Sequence, residues 1–285
     1  MHFGIVLVLL MYAQFCLSSE RNSIAPSTQL VIYNARCVDS GVYAFTNLIE
    51  TGYIEPSVAN IRWGIYTLAG MAGNIRNTFA VAQKLSPNLS RQWLEVYLET
   101  QDGLAHAREV LKMAIENDDT NRAAFLLSTK NMGLANSILP YPMISKSAIF
   151  QCVSLKRLQI LQHLLNAGAD AKTYSSIGRA PIHEAVFQEC VDSLKMLLAF
   201  GADPDYPELS TGRTPLMLLS ISCGGLNQDA VIAIAQVLLD AGADRAKTDL
   251  TGKTAAEFAA PFNTGGIRGR LKNFIETYKP TEKLL

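Results

Sequence analysis

Along the C-terminal half of the chain, apolar and polar positions fall into blocks that keep one order. A leucine pair closes each apolar block: Leu164-Leu165 in "LLNAGAD", Leu197-Leu198 in "LLAFGAD" and Leu238-Leu239 in "LLDAGAD". The Gly-Ala-Asp that follows begins at Gly168, Gly201 and Gly242. A polar, turn-forming stretch comes next. It leads into a segment rich in small apolar residues: "GRAPIHEAV" from Gly178, "GRTPLMLLS" from Gly212 and "GKTAAEFAA" from Gly252. The pattern predicts a short first helix, a turn, a second helix carrying the leucine pair, and a hairpin-like finger that leads to the next unit. Gly168, Gly201 and Gly242 suit the left-handed position that ends a helix. Thr214 is placed to cap a helix whose first position is Pro215, and Thr254 to Glu257 reads as a capping box.

The period is regular with one exception. Gly168 to Gly201 is 33 residues and Gly178 to Gly212 is 34, but Gly201 to Gly242 is 41. The finger "DPDYPELSTGRTP" is one residue longer than its neighbours. The rest of the excess is expected around "SCGGLNQ" (222–228), as a loop between two helices on the side opposite the fingers.

A period near 33 with a T-P-L-H-like motif is the signature of ankyrin repeats. Over about residues 145–280 the chain resembles that family. The resemblance implies an all-α solenoid of stacked helix pairs with short hairpin fingers. It also implies a non-enzymatic module that binds a protein through its concave face and finger tips. Carried over position by position, the implied contact residues are Tyr174, Ile177, Phe187, Gln188, Tyr206, Leu209, Ile221, Asp249 and Leu250. The motif departs from the family in one respect. Its Thr and His do not coincide: Ala180 goes with His183, Thr214 with Met217 and Thr254 with Glu257. Each side-chain bond so lost costs on the order of 1 kcal/mol, which predicts a less regular array.

Upstream the grammar persists without those marks. Residues 145–170 align without gaps to the following repeat, with Phe150 in the place of His183. Residues 106–134, 64–85 and 33–52 each read as helix, turn, helix. Residues 28–144 are therefore expected to be degenerate ankyrin-like repeats; the alternative is a helical domain of another type, such as another α-solenoid repeat. Residues 267–278 read as a capping helix with Leu271, Phe274 and Ile275 inward, which such an array requires.

Charge, cysteines and the N-terminus then narrow the function. The chain has 25 basic and 25 acidic residues. That balance gives no bulk electrostatic case for nucleic acid or an anionic membrane. The apolar run from Phe3, interrupted by Gln14, reaches only to Leu17 and is shorter than the roughly 20 residues of a spanning helix. Small residues follow it, so residues 1–18 are expected to be a signal peptide cut after Ser18. The n-region lacks Lys and Arg, and a retained anchor is the competing reading. Cleavage would place the protein in a secreted or periplasmic setting, as a monomer. Four cysteines would remain: Cys37, Cys152, Cys190 and Cys223. Cys190 and Cys223 fall at the helix–helix turns of adjacent repeats. Stacked helices lie about 8–10 Å apart, so a bridge between them requires the insertion to close the gap to within about 7 Å.

No motif for catalysis stands out. Gly252-Lys253-Thr254 is not a phosphate loop, because Lys247 occupies the place of its required Gly. "TGGIRGR" (264–270) reads as an interhelical turn. His183 reads as a structural hydrogen-bonder and His163 as a partly buried packing residue. His106 has Glu109 one turn along and no implied nucleophile. Asn88-Leu89-Ser90 is a single glycosylation triplet. No cofactor or metal is expected. The competing function classes are an enzyme with its site in residues 20–140, a secreted effector acting on a host protein, and a toxin-neutralising inhibitor.

Overall fold

The computed structural model describes residues 87–139, 146–223, 227–260 and 266–279. The expected signal segment and the helix–turn–helix segments at 33–52 and 64–85 lie outside the described residues, as do Cys16 and Cys37. The chain divides into two compact units, Met1–Glu109 and Val110–Leu285.

In the first unit, α1 (Pro87–Glu99) is followed after one residue by the start of α2 (Gln101–Glu116). Trp93, Leu94, Tyr97 and Leu98 recur at helical spacing and are buried. The Trp93 and Tyr97 rings stack at 4.7 Å. The Tyr97 hydroxyl lies 2.6 Å from His106 Nδ1, which gives His106 a structural partner. The Asn88 triplet lies in α1, with Ser90 buried.

The second unit continues with α3 (Thr120–Leu127), α4 (Met132–Ala135), β1 (Ile138–Leu139) and β2 (Lys146–Ser147). Helix pairs follow: α5 (Ala148–Ser154) with α6 (Leu158–Asn166), α7 (Pro181–Phe187) with α8 (Val191–Ala199), α9 (Pro215–Ser222) with α10 (Gln228–Asp240), and α11 (Ala255–Ala259) with α12 (Ile267–Thr277). The first helices α5, α7, α9 and α11 stack in one row. The second helices α6, α8, α10 and α12 stack in another, and α3 packs on α6. Phe150, Leu161, Leu164, Leu194, Leu197, Ile234 and Leu238 fill the space between the rows and are buried. The fold is the expected all-α stack. Its one described strand pair is β1 with β2, antiparallel, with Leu139 opposite Lys146.

One turn geometry recurs where first helix meets second. Arg157 N–H donates to Cys152 O at 2.8 Å and Cys190 N–H to Ala185 O at 3.0 Å. Asp119 N–H does the same to Ala114 O at 2.8 Å. The preceding residues Lys156, Glu189 and Asp118 are left-handed, with φ of 58°, 52° and 57°. Residues 110–127 therefore turn as the marked repeats do, although they carry neither Gly-Ala-Asp nor T-P-L-H. Arg157 also ties this turn to the next pair, donating to the carbonyls of Ile115 and Glu116 and pairing with Asp118 at 3.3 Å. A left-handed side-chain residue costs roughly 1–2 kcal/mol, of which the added backbone freedom of unfolded glycine returns part. We expect Lys156→Gly to raise stability by about 0.5–1 kcal/mol in urea unfolding. Glu189→Gly should gain less, because Glu189 accepts the Asn227 N–H at 2.9 Å.

The long period is absorbed differently from expectation. α10 has 13 residues against nine in α8, and α9 has eight against seven in α7. Most of the excess therefore extends helices, because "DAVIAIAQVLLD" keeps its apolar spacing from the start. Residues 224–226 of the expected loop lie outside the described residues. In α12, Leu271 and Ile275 are buried as expected, but Phe274 is only half-buried and tilts against Tyr278 at 5.4 Å. Cys152, Cys190 and Cys223 are free thiols. The possible Cys190–Cys223 bridge is thus not formed. Cys190 Sγ lies 3.0 Å from Ser193 Oγ, and Cys223 donates to Ser220 O.

Candidate protein-binding face

Each finger starts the same way. The Asp of Gly-Ala-Asp accepts the N–H two residues on: Asp170 from Lys172, Asp203 from Asp205, and Asp244 from Ala246, at 2.8–2.9 Å. Such Asx turns reverse the chain directly after the helix. Gly168, Gly201 and Gly242 hold φ of 87°, 83° and 94°, as the helix stops require.

Each finger closes by a backbone bond at a matching position. Ser175 N–H donates to Arg179 O, Glu208 N–H to Arg213 O, and Asp249 N–H to Lys253 O. Ser175, Glu208 and Asp249 are accordingly equivalent, and all three are buried. The cation after each of the first two finger glycines, Gly178 and Gly212, reaches forward to the next finger. Arg179 Nε lies 2.8 Å from Glu208 and Arg213 Nε 3.5 Å from Asp249. Burial pushes the Glu208 carboxyl up, but hydrogen bonds from Thr211 and Arg179 outweigh it and hold the group below its usual value. The hydrogen bond from Thr251 likewise lowers Asp249. These rungs also join backbones: Leu209 N–H donates to Gly178 O and Leu250 N–H to Thr211 O. Leu209 covers Gly178 and Leu250 covers Gly212 so closely that a Cβ on either glycine would meet the leucine at 3.1 or 3.0 Å.

The expected contact residues divide into three groups. Ile177, Phe187, Leu209 and Leu250 are exposed, by 45%, 54%, 62% and 76%, far more than side chains that serve packing. Tyr174, Tyr206, Gln188 and Ile221 are half-buried and engaged. Tyr174 stacks on Tyr206 at 5.1 Å and donates its hydroxyl to Pro207 O, and burial there pushes its phenol up to about 12. Gln188 donates to Glu184, and the Ile221 carbonyl accepts from Arg268. Asp249 is buried in its rung rather than presented at the tip. The sequence reading missed the rung cations. Their signal was the Gly-Arg, Gly-Arg and Gly-Lys that opens each first-helix segment.

The departures from T-P-L-H prove to be exchanges. Ser147 and Thr214 accept the N–H of Phe150 and Met217. Where Ala180 has no hydroxyl, His183 Nδ1 instead accepts the Ala180 N–H at 3.0 Å. Glu257 does the same for Thr254 N–H at 2.7 Å, while Thr254 accepts the Glu257 N–H. The "GKT" threonine is thus committed to a helix cap. Among the described residues no helix is long and apolar enough to cross a membrane.

The Ankyrin repeat family model matches residues 177–208. That segment runs from Ile177 through α7 and α8 to Glu208. The chain is 28% identical over 116 residues to neurogenic locus notch homolog protein 2 of Homo sapiens. It is 29% identical over 118 residues to neurogenic locus notch homolog protein 1 of Mus musculus. Each match covers 41% of this chain and 4% of the relative. Matched residues, helix stacking and repeated fingers agree: residues 177–208 match an ankyrin repeat, and the stack around them is similar to the ankyrin-repeat family.

Proposed function

We propose that this protein is an exported, monomeric binding module that seizes a protein partner with its finger tips and the adjacent helix end. Ankyrin repeats are protein–protein interaction modules and are typically non-enzymatic. The observation that carries the reading is the row of Ile177, Leu209 and Leu250. Successive fingers expose these aliphatic side chains, and interfinger bonds fix their spacing. Phe187 is exposed beside that row, its ring under the Arg179 guanidinium at 5.5 Å. Apolar and aromatic side chains held rigidly in this way are what interface anchors require. Export rests on the apolar segment at 1–18, and the division into residues 28–144 and 145–280 rests on the marks of the second part.

The test is affinity capture with the mature form, after sequencing its N-terminus. Leu209→Asp and Phe187→Ala should each weaken binding of a captured partner by more than about 1 kcal/mol while the fold is kept. Tyr206→Ala should lower stability, because its ring carries Tyr174. Partner binding untouched by Leu209→Asp and Phe187→Ala together would refute the finger-tip reading.

A further inference from the structure

The finger ladder is complete between fingers and left open at its C-terminal end. Two successive rungs have three parts each: a leucine seated over the preceding finger's glycine, a carboxylate paired with the cation after that glycine, and a backbone N–H given to a carbonyl at or next to it. Leu209 and Glu208 supply these parts to Gly178 and Arg179. Leu250 and Asp249 supply them to Gly212 and Arg213. Among the described residues, the last finger offers all three receiving groups and receives nothing. A Cβ placed on Gly252 would meet no atom of the described residues within 4 Å. Lys253 is exposed and makes no ion pair among the described residues. Its ammonium lies 5.9 Å from the centre of the Phe258 ring, and the nearby Glu257 is committed to capping Thr254. Neither the Thr251 nor the Gly252 carbonyl accepts a hydrogen bond from the described residues.

We infer that this open rung is a docking site for a partner turn carrying an acidic residue followed directly by leucine. The inference rests on the protein-binding reading above and names the chemistry of the partner. The chain itself supplies the template twice, as Glu208-Leu209 and Asp249-Leu250. The acidic side chain pairs with Lys253, the leucine covers Gly252, and its N–H bonds the waiting carbonyl. Charge complementarity sets the order of the two residues, because the buried member of each rung is the acid and the exposed member the leucine. A second copy of this chain does not fit through its Tyr174–Ile177 finger, which carries Ser175-Ser176 at the two positions.

The test uses the full chain and a cyclised peptide copying Asp203–Thr214, followed by amide NMR shifts. The peptide should bind saturably and move the Gly252 and Lys253 signals. Lys253→Glu should weaken it about fivefold or more, and Lys253→Gln by less, with unchanged circular dichroism in both. Glu208→Lys in the peptide should restore binding to the Lys253→Glu protein. Absence of saturable binding, indifference to Lys253→Glu, or failure of the charge swap overturns the inference. If captured partners depend on Leu209 but not on Lys253, the finger-tip reading stands and the open rung falls.

Discussion

His183→Ala should cost about 3 kcal/mol of folding free energy, the sum of two lost buried hydrogen bonds and a cavity. The His183 ring joins two repeats. Its Nδ1 accepts the Ala180 N–H, so in the neutral ring Nε2 carries the proton and donates to Tyr206 O at 2.7 Å. The side chain is 1% exposed, so both backbone partners would be left without replacement. Burial lowers the His183 pKa below its ordinary 6.5, against the opposing bond to Tyr206 O and the charge of Glu208. The folded state therefore prefers the neutral ring. Its contribution is whole above pH 6.5 and is lost as pH falls towards the lowered folded value. Urea unfolding at pH 7.5 and 5.5 should show this loss in the wild type, and less of it in the variant. His183→Phe keeps the volume and should cost about 2 kcal/mol, separating bonds from cavity. An unchanged pH dependence in both variants would show that another group carries it.

The legible part of this fold was what the chain writes locally. Gly-Ala-Asp marks a left-handed helix stop and an Asx turn, and both functions lie within three residues. T-P and T-x-x-E mark caps for the same reason. The rungs were not legible, because Arg179–Glu208 and Arg213–Asp249 join residues in different repeats and depend on finger geometry. That is also why Asp249 was placed at a tip when it is buried. The turn at Asp118 was recognisable only as polar, since the left-handed residue there is not glycine. The pairing of Ala180 with His183 read as a lost bond, whereas the imidazole replaces the missing hydroxyl. Of the proposed site, the exposed aliphatics were found from repeat position alone. The half-buried tyrosines were not separable from them, because an aromatic residue in a finger can stack on its neighbour or face solvent.

Gly103→Ala should be nearly as damaging, by about 3 kcal/mol, at a position where the sequence shows only a glycine in a helix. Thr100 alone separates α1 from α2. Its hydroxyl donates to Tyr97 O at 2.8 Å and accepts the Gly103 N–H at 3.0 Å. A Cβ on Gly103 would stand 2.1 Å from Tyr97 O and 2.5 Å from Thr100 Oγ1. Neither neighbour can withdraw cheaply. The carbonyl belongs to a fully buried tyrosine, stacked on Trp93 and bonded to His106. Moving the hydroxyl breaks the bonds that make the corner. Gly266→Ala is the control: a Cβ there meets nothing of the described residues within 4 Å and the backbone is extended, so its effect should stay within about 0.5 kcal/mol. Trp93 emission in a Trp63→Phe background reads the corner directly. A Gly103→Ala protein with unshifted emission and unchanged urea midpoint would mean that α1 and α2 are not joined by this Thr100 turn in solution.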